Sequence, residues 1–574
     1  MLKIPYAISN FERIRTKNFL YVDKTQFIEK VESIDYLMHL RPRRFGKSLF
    51  ISMLESYYDV AAADKFDELF GGLYIHENPT DYRNSYYMLR FDFSGIENVK
   101  KGDLQEGFAR KVKGGAQAFI DKYKLDIDLI SSTSAAAILD SLLGSFAALN
   151  LSNKIYILID EYDHFTNSIL EGEASEFLAV FQRGGFVRSF YEIIKEFAGL
   201  GIIERIFITG VMSITLDSMA SGFNIATKIT TDERFSDMMG FTEDEVKELL
   251  TFTYAKPDAP KDSKEIVKLA TDEQKKIYEI FEENYNGYRF SNRDSTKVFN
   301  STLIMHYLKH YLPRKLPPVS LVDDNLNQSA ATIDNIVGLK NVEKNYQVIE
   351  EIINEKQIEG TLQPFIDIET KFDENDLITL LFNIGMLTIK GFDMETIFEM
   401  PNKIVESIYL QYLSKLVQKQ SDYTIDITKQ KRAIIEVGRK GEINALTALV
   451  SEFLTHTSNR NTIKFDEKYI KLVYMMILTY SNQFNVYDEF PALQGFNDLF
   501  IQKAPNSTAR YEVLMELKYI KKSDTTKEKI EEELADGIGQ IEKYMKDERL
   551  ARRKSLKKFV VVFSGFEAVR LHEL

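Results

Sequence analysis

The chain is 574 residues long, 44% hydrophobic and 28% charged, which is enough apolar material for several packed domains. It contains no cysteine, which excludes disulfides and cysteine-ligated zinc or iron–sulfur sites and fits a cytoplasmic setting. Its net charge of −13 excludes a surface built overall to coat nucleic acid, so any such contact needs a local basic patch or bridging metal ions.

The opening "MLKIPYAISNFERIR" lacks a basic segment followed by an apolar run, so no secretory leader is expected. No apolar stretch approaches the ~20 residues that span a bilayer. The first 240 residues alternate short apolar runs with helical patterns. "YLMHL" (Tyr36–Leu40), "YYMLRFDF" (Tyr86–Phe93), "IYILID" (Ile155–Asp160) and "IFITGV" (Ile206–Val211) read as strands buried on both faces. This alternation predicts a parallel sheet with crossover helices.

After the first strand comes "RPRRFGKS" (Arg41–Ser48), followed by the helical "LFISMLESYY". It ends as a phosphate-binding loop G-x-x-x-x-G-K-[ST] ends, but Arg41 stands where the first glycine belongs. Gly46 would let the backbone approach phosphates, Lys47 would bring charge to the β- and γ-phosphates, and Ser48 would offer its hydroxyl to Mg²⁺. Pro42 can hold the turn rigid in the glycine's stead. Arg43 and Arg44 are expected to face either nucleotide phosphates or a neighbouring subunit. In "IYILIDEYDHF" the third strand delivers Asp160 and Glu161 together to the sheet edge. That pair suits a Mg²⁺-binding acid followed by a group that orients or deprotonates the attacking water. A strand ending in an acidic turn is the plainer alternative, and Gly46–Ser48 upstream favours the nucleotide site over it. Thr209 or Ser213, at the end of the fourth strand, are candidates for sensing the γ-phosphate.

From 241 to 330 the pattern turns helical and charged, starting at a capping-box spacing, Thr242 and Glu245. In "NYNGYRFS", Arg289 either reaches a phosphate or, more simply, follows an Asn-Gly turn within a packed aromatic pair containing Tyr288. His306 and His310 share a helix face, but no glutamate follows in the zincin manner, so packing or surface roles are expected. Residues 311–325 are proline-rich and read as a linker or sharp turn. Residues 331–460 read as mostly helical, with a small hairpin around "IGMLTIKGFDMETIFEM".

From about 465 a long helix precedes "NVYDEF", "FNDLFIQ", "EVLMELKYI" and "KFVVVFSG", a second α/β unit. Strand alternation sends Glu516 and Lys518 to one face and Met515 and Leu517 to the other, with Asp498 one hairpin away. Two converging carboxylates can hold Mg²⁺ while leaving waters in place; the metal makes hydroxide available near neutral pH, and Lys518 can stabilise charge on a phosphate. Gln540 is a candidate supporting residue, and Glu467 or Glu489 a candidate third acid. E-x-K is a common triplet, and Glu245–Lys247 is another, on a helix; the C-terminal copy is set apart by its apolar strand and by Asp498 upstream. The basic "KDERLARRKSLKK" (Lys546–Lys558) is either a solvated helix face or a nucleic-acid contact.

With these residues in view, the chain resembles a bacterial two-part family that joins an AAA-ATPase-like N-terminal domain to a C-terminal PD-(D/E)XK nuclease-superfamily domain. The similar stretches "IPYAISNFERIR", "YVDKTQFIEKVE", "RPRRFGKSLFISMLESYYD", "LIDEYD", "MMGFTEDEV" and "NYNGYRFS" span most of residues 1–300. "RPRRFGKS" in place of a full Walker A motif matches the family. "KVFNST" (Lys297–Thr302) departs from it, lacking a proline after the asparagine. The resemblance implies ATP binding by Lys47 and Ser48, a Walker B pair of Asp160 and Glu161, and the D…E-x-K nuclease roles for Asp498, Glu516 and Lys518. "LLFNIGMLTIKG" and "FEMPNKIVESIYLQYL" resemble the winged-helix segment that follows the core in related signalling-type ATPases.

The expected fold is α/β: an AAA-like P-loop NTPase core with a parallel sheet (1–240), a helical lid (241–330), a winged-helix-like region (331–410), a helical connector (411–464) and a small α/β restriction-endonuclease-like domain (465–574). The expected function is ATP binding and hydrolysis coupled to metal-dependent cleavage of DNA or RNA. ATP and Mg²⁺ are the cofactors, no membrane is involved, and analogy with AAA-like ATPases suggests a homo-oligomer. Two alternatives stand beside it: a nuclease-like domain that binds nucleic acid without cutting, and a signalling ATPase that recruits a protein partner.

Overall fold

The structure is a computed structural model that describes residues 3–96, 101–164, 185–212, 224–254, 271–322, 329–364, 366, 372–421, 423–457, 466–493 and 495–574. The chain divides into two compact units, Met1–Lys309 with Thr332–Val405, and His310–Ala331 with Glu406–Leu574.

The first unit is built on a five-stranded parallel sheet. Its strands are β1 (Tyr36–Leu40), β2 (Tyr86–Asp92), β3 (Lys154–Asp160), β4 (Ile203–Gly210) and the two-residue β5 (Thr227–Lys228), in the order β2-β3-β4-β1-β5. Helices cover both faces, which is why the strands are near-continuous apolar runs. Helix α1 (Lys47–Tyr58) packs over a Tyr58–Tyr86–Tyr156 cluster with ring centroids 5.2–5.9 Å apart. Helices α2 (Lys101–Tyr123), α3 (Ala135–Ala148) and α4 (Phe186–Gly199) cover the opposite face, where Phe91 and Phe93 of the second strand and its end meet Phe108 and Phe190. Parallel strands bring their C-terminal ends to one edge: Leu40 lies beside Gly210, and Asp92 beside Asp160.

The predicted capping box is present: Thr242 N–H donates to Glu245 Oε2 at 2.8 Å, and Glu245 N–H to Thr242 Oγ1 at 3.3 Å, at the start of the helix Glu243–Tyr254. Later in the same unit, the hairpin of β7 (Thr388–Asp393) and β8 (Glu395–Glu399) joins β6 (Gln357–Gly360) in an antiparallel sheet of order β6-β8-β7.

The second unit holds β9 (Phe484–Ala492), β10 (Gly495–Lys503), β11 (Glu512–Ile520), β12 (Leu556–Ser564) and β13 (Glu567–Glu573), in the order β13-β12-β11-β10-β9. Strands β11 and β12 run parallel and the other pairs antiparallel. Helix α6 (Lys527–Tyr544) makes the crossover between the parallel pair, and its Leu534, Ile541 and Tyr544 form a core with Phe500, Leu514 and Val560. The other face is covered by α5 (Glu467–Leu478), whose Tyr474 hydroxyl donates to Thr447 at 2.8 Å. Among the described residues no helix is long and apolar enough to cross a membrane.

Candidate active sites

At the edge of the first sheet, the chain leaves β1 through Arg41–Gly46 and enters α1 at Lys47. Gly46 has φ +95°, a left-handed conformation that suits glycine and turns the loop into the helix N-terminus. Arg41, in the first-glycine position, turns away from the loop. Its fully buried guanidinium donates to the carbonyls of Leu40 (3.0 Å), Thr230 (2.7 Å) and Phe235 (3.1 Å) and lies 4.0 Å from the centroid of Phe290. Thus the arginine fixes the loop from behind. An Arg41→Gly change, which restores the usual motif, is expected to destabilise the first unit by roughly 2–4 kcal/mol, because three buried carbonyls lose their donor. Urea unfolding checks this; an unchanged midpoint refutes the bracing role.

Lys47 Nζ closes on the loop carbonyls of Arg41 and Pro42, both at 3.0 Å. Burial pushes its pKa down to about 8, against the opposing charges of Asp163, Asp160 and Glu161. Ser48 is hydrogen-bonded to Asp160, which is 2% exposed. Burial raises the Asp160 pKa, and Asp92 adds to the rise; the Ser48 bond, Arg90 and Lys47 oppose it. Glu161 has φ +51° and a half-exposed carboxylate 3.3 Å from His164, whose hydrogen bond holds its pKa below the usual value. Arg43 is exposed, and its charge reaches Lys47. Arg44, at φ +74°, is held by its carbonyl, which accepts from the Thr302 hydroxyl at 2.8 Å and the Ser301 hydroxyl at 3.3 Å. Ser301 stands where the resemblance led us to expect proline, and that extra donor bond is what the departure supplies.

Arg289 follows the simpler reading: its guanidinium donates to the carbonyls of Ser291, Asn292, Asp294 and Lys390. Tyr288 packs edge-on against Phe45 at 4.9 Å. The Thr209 hydroxyl donates to the His39 carbonyl at 2.8 Å and is fully buried, so it is committed within the sheet; Ser213 lies outside the described residues. Asp163 escaped the sequence reading. Its carboxylate accepts from the N–H groups of Val211 (2.9 Å) and Met212 (2.6 Å), which ties the loop after β3 to the end of β4 and places a third acid near Lys47. The available signal was its position three residues beyond Asp160.

In the second unit, β10 and β11 pair from Leu499–Met515 to Ile501–Val513, and this pairing stops short of Asp498 and Glu516. There the Asp498 side chain takes over, accepting the Leu517 N–H at 2.8 Å. The two carboxyls share one buried gap. Burial, and then the charge of Asp498, pushes the Glu516 pKa up to about 8, while Lys518 opposes the rise. Glu467, on α5, is pushed up to about 7 by burial and by the charge of Asp498. Glu489 is exposed at φ +53° on the rim. Lys518 Nζ lies 3.4 Å from Glu516 Oε1 and 2.8 Å from Asp536, and donates to Gln540 Oε1 at 3.0 Å. Lys471 also escaped the sequence reading. It sits one helical turn after Glu467, with Nζ 3.1 Å from Asp498 Oδ1.

Among the described residues no group of three or more His, Asp or Glu is arranged to hold a metal ion. The Asp498–Glu516 pair nevertheless fits one. Glu516 is 3% exposed, and its Oε2 is buried with no hydrogen-bond partner. A carboxylate oxygen in that state lacks the opposite charge that a divalent cation supplies, and Mg²⁺ sites commonly use only one or two carboxylates. The oxygen donors of Ser48 and Asp160 fit the same kind of ion at the first edge.

Residues 5–220 match the family described as a predicted AAA-ATPase, and residues 465–573 match the PD-(D/E)XK nuclease superfamily. A relative described as an uncharacterized protein in the vnfD 5′ region of Azotobacter chroococcum mcd 1 is 30% identical over 246 residues, 42% of this chain and 44% of the relative. The chain therefore spans less than half the length of the curated relative it matches.

Proposed function

We propose, for a chain that joins an AAA-ATPase-like domain to a PD-(D/E)XK nuclease-superfamily domain, that it hydrolyses ATP at the edge of its first sheet and cuts DNA or RNA phosphodiesters at the edge of its second. Lys47 neutralises the β- and γ-phosphates at the N-terminus of α1. Ser48 and Asp160 hold the divalent ion, which when bound neutralises charge developing on the phosphates. Glu161, half-exposed beside His164, orients the attacking water. The segments after the sheet act as lid and wing. In support, the Thr302 hydroxyl donates to the Arg44 carbonyl at 2.8 Å, and a Cβ on Gly385 (φ +81°) would lie only 3.0 Å from Pro42, so both segments touch the phosphate loop.

In the second unit Asp498 and Glu516 hold the metal, which when bound lowers the pKa of a coordinated water. Lys518, steadied by Asp536 and Gln540, stabilises charge on the scissile phosphate. The observation that carries the nuclease reading is the buried, unpartnered Glu516 Oε2. Incubating the full chain with Mg²⁺ or Mn²⁺ and labelled DNA and RNA, beside Glu516→Ala, tests it; identical behaviour of the two proteins ends the reading.

One observation favours the second reading, binding without cutting: Lys471 already satisfies Asp498. Replacing it decides between them. If the site cuts, Mn²⁺ binds the wild-type chain, and Lys471→Met tightens that binding roughly tenfold by removing a competing charge-assisted bond. If Lys471 has permanently replaced the metal, calorimetry detects no Mn²⁺ binding to the wild-type second unit, and Lys471→Met creates it.

A further inference from the structure

The β9–β10 hairpin ends in apolar residues that no core uses: Leu493 is 71% exposed and Phe496 64%. Scattered exposed apolar side chains are ordinary, but three features set Phe496 apart. First, it precedes Asp498 by two residues on β10. Strand alternation puts Phe496, Asp498 and Phe500 on one face, about 7 Å apart in succession, while Asn497 and Leu499 are fully buried on the other. Second, the hairpin adjoins the floor of the site. The Tyr544 ring lies 3.5 Å from the position a Cβ on Gly495 would take, and the Tyr544 phenol is close enough to Glu516 to feel its charge. Third, the basic segment is fastened to this hairpin. Arg549 Nη2 donates at 2.7 Å to the carbonyl of Pro491, the strand partner of Phe496. Lys546–Lys558 holds seven basic residues against two acidic ones, in a chain of net charge −13. Arg553 is spent on a buried pair with Glu512, and Arg549, Arg552 and Lys557 pair with Asp547, Glu548 and Glu573, but Lys546, Arg549, Arg552 and Lys554 all remain exposed.

We propose that Phe496, with Leu493 beside it, is a base-stacking platform that makes the C-terminal site take unpaired nucleic acid. The proposal rests on the nuclease reading above and specifies its substrate class. The basic segment follows the phosphates while the ring lies against a base. Such stacking tolerates any sequence, and it requires a base whose face is free, which an intact duplex does not offer.

The chain contains no tryptophan, so Phe496→Trp introduces a single indole at the point in question. In EDTA, to prevent cleavage, the full chain is titrated with oligothymidylate and with a duplex of equal length. Oligothymidylate should quench the indole emission and the duplex should not. Phe496→Ala should weaken oligothymidylate binding about tenfold, with duplex affinity, salt dependence and Mn²⁺ affinity unchanged, while Phe496→Tyr restores it. Unquenched emission at saturating oligothymidylate, or a Phe496→Ala chain that binds it as tightly as wild type, overturns the proposal. Self-association of the wild type that Phe496→Ala abolishes, without quenching, overturns it in favour of a second copy of the chain. A wild-type chain that neither binds nor cuts any nucleic acid removes the nuclease reading itself; intact cleavage with an indifferent Phe496→Ala removes the stacking platform alone.

Discussion

Lys47→Ala is expected to lower ATP hydrolysis about 10²–10³-fold and ATP affinity roughly tenfold or more, the loss of one charge-assisted hydrogen bond. The reason lies in what surrounds the ammonium. It is buried, it donates to two carbonyls of its own loop, and three acids face it. Burial disfavours its charge, so the free site holds Lys47 in a state that a polyphosphate relieves. On the proposed ATP reading, phosphate oxygens would take the place of the Arg41 and Pro42 carbonyls. Glu161→Gln should separate binding from chemistry: ATP affinity stays near wild type while turnover falls about 10²–10⁴-fold. Filter binding and phosphate release measure the two quantities. Normal turnover by Lys47→Ala, or lost ATP binding by Glu161→Gln, would break the assignment.

Much of this arrangement is legible in the sequence. Parallel strands must be buried on both faces, so "IYILID" and "IFITGV" announce themselves as apolar runs, and Asp160, which ends the first of them, falls at the strand C-terminus by topology. The alternation in "EVLMELKYI" likewise placed Glu516 and Lys518 on one face. What escaped was set by tertiary contact. Strand β5 is two residues long, too short for any periodicity. Strand β13, "EAVRLHE", has only half-buried and exposed residues, so it carries little hydrophobic pattern. The use of Arg41 depends on carbonyls nearly two hundred positions away, at Thr230 and Phe235. Asp163 and Lys471 gain meaning only from neighbours on other elements, the backbone after β4 and the carboxylate of Asp498.

Glu516→Gln is expected to lower cleavage about 10²–10³-fold, since a charged group aimed at the reacting centre is lost, and at the same time to stabilise the metal-free protein at pH 8 by about 1–3 kcal/mol. The two effects share one cause. Glu516 is a nearly inaccessible carboxyl beside Asp498, with one oxygen lacking any donor. Its folded pKa lies at about 8, above the ordinary value of 4.5. Between those two values the folded state holds a proton that the unfolded chain has released, so stability falls as pH rises across the window and the full penalty is present above about pH 8. Glu467, raised to about 7, adds to the same slope. Urea unfolding of the second unit, followed in chelator from pH 5 to 8.5, should therefore decline for the wild type and decline less for Glu516→Gln, the curves meeting toward the acid end. Mn²⁺ should flatten the wild-type curve by supplying the missing opposite charge and should do little for the variant. A wild-type profile flat in chelator, or a variant no more stable at pH 8, would show that the carboxyl already has its counter-charge within the protein, and the case for a metal at this edge would go with it.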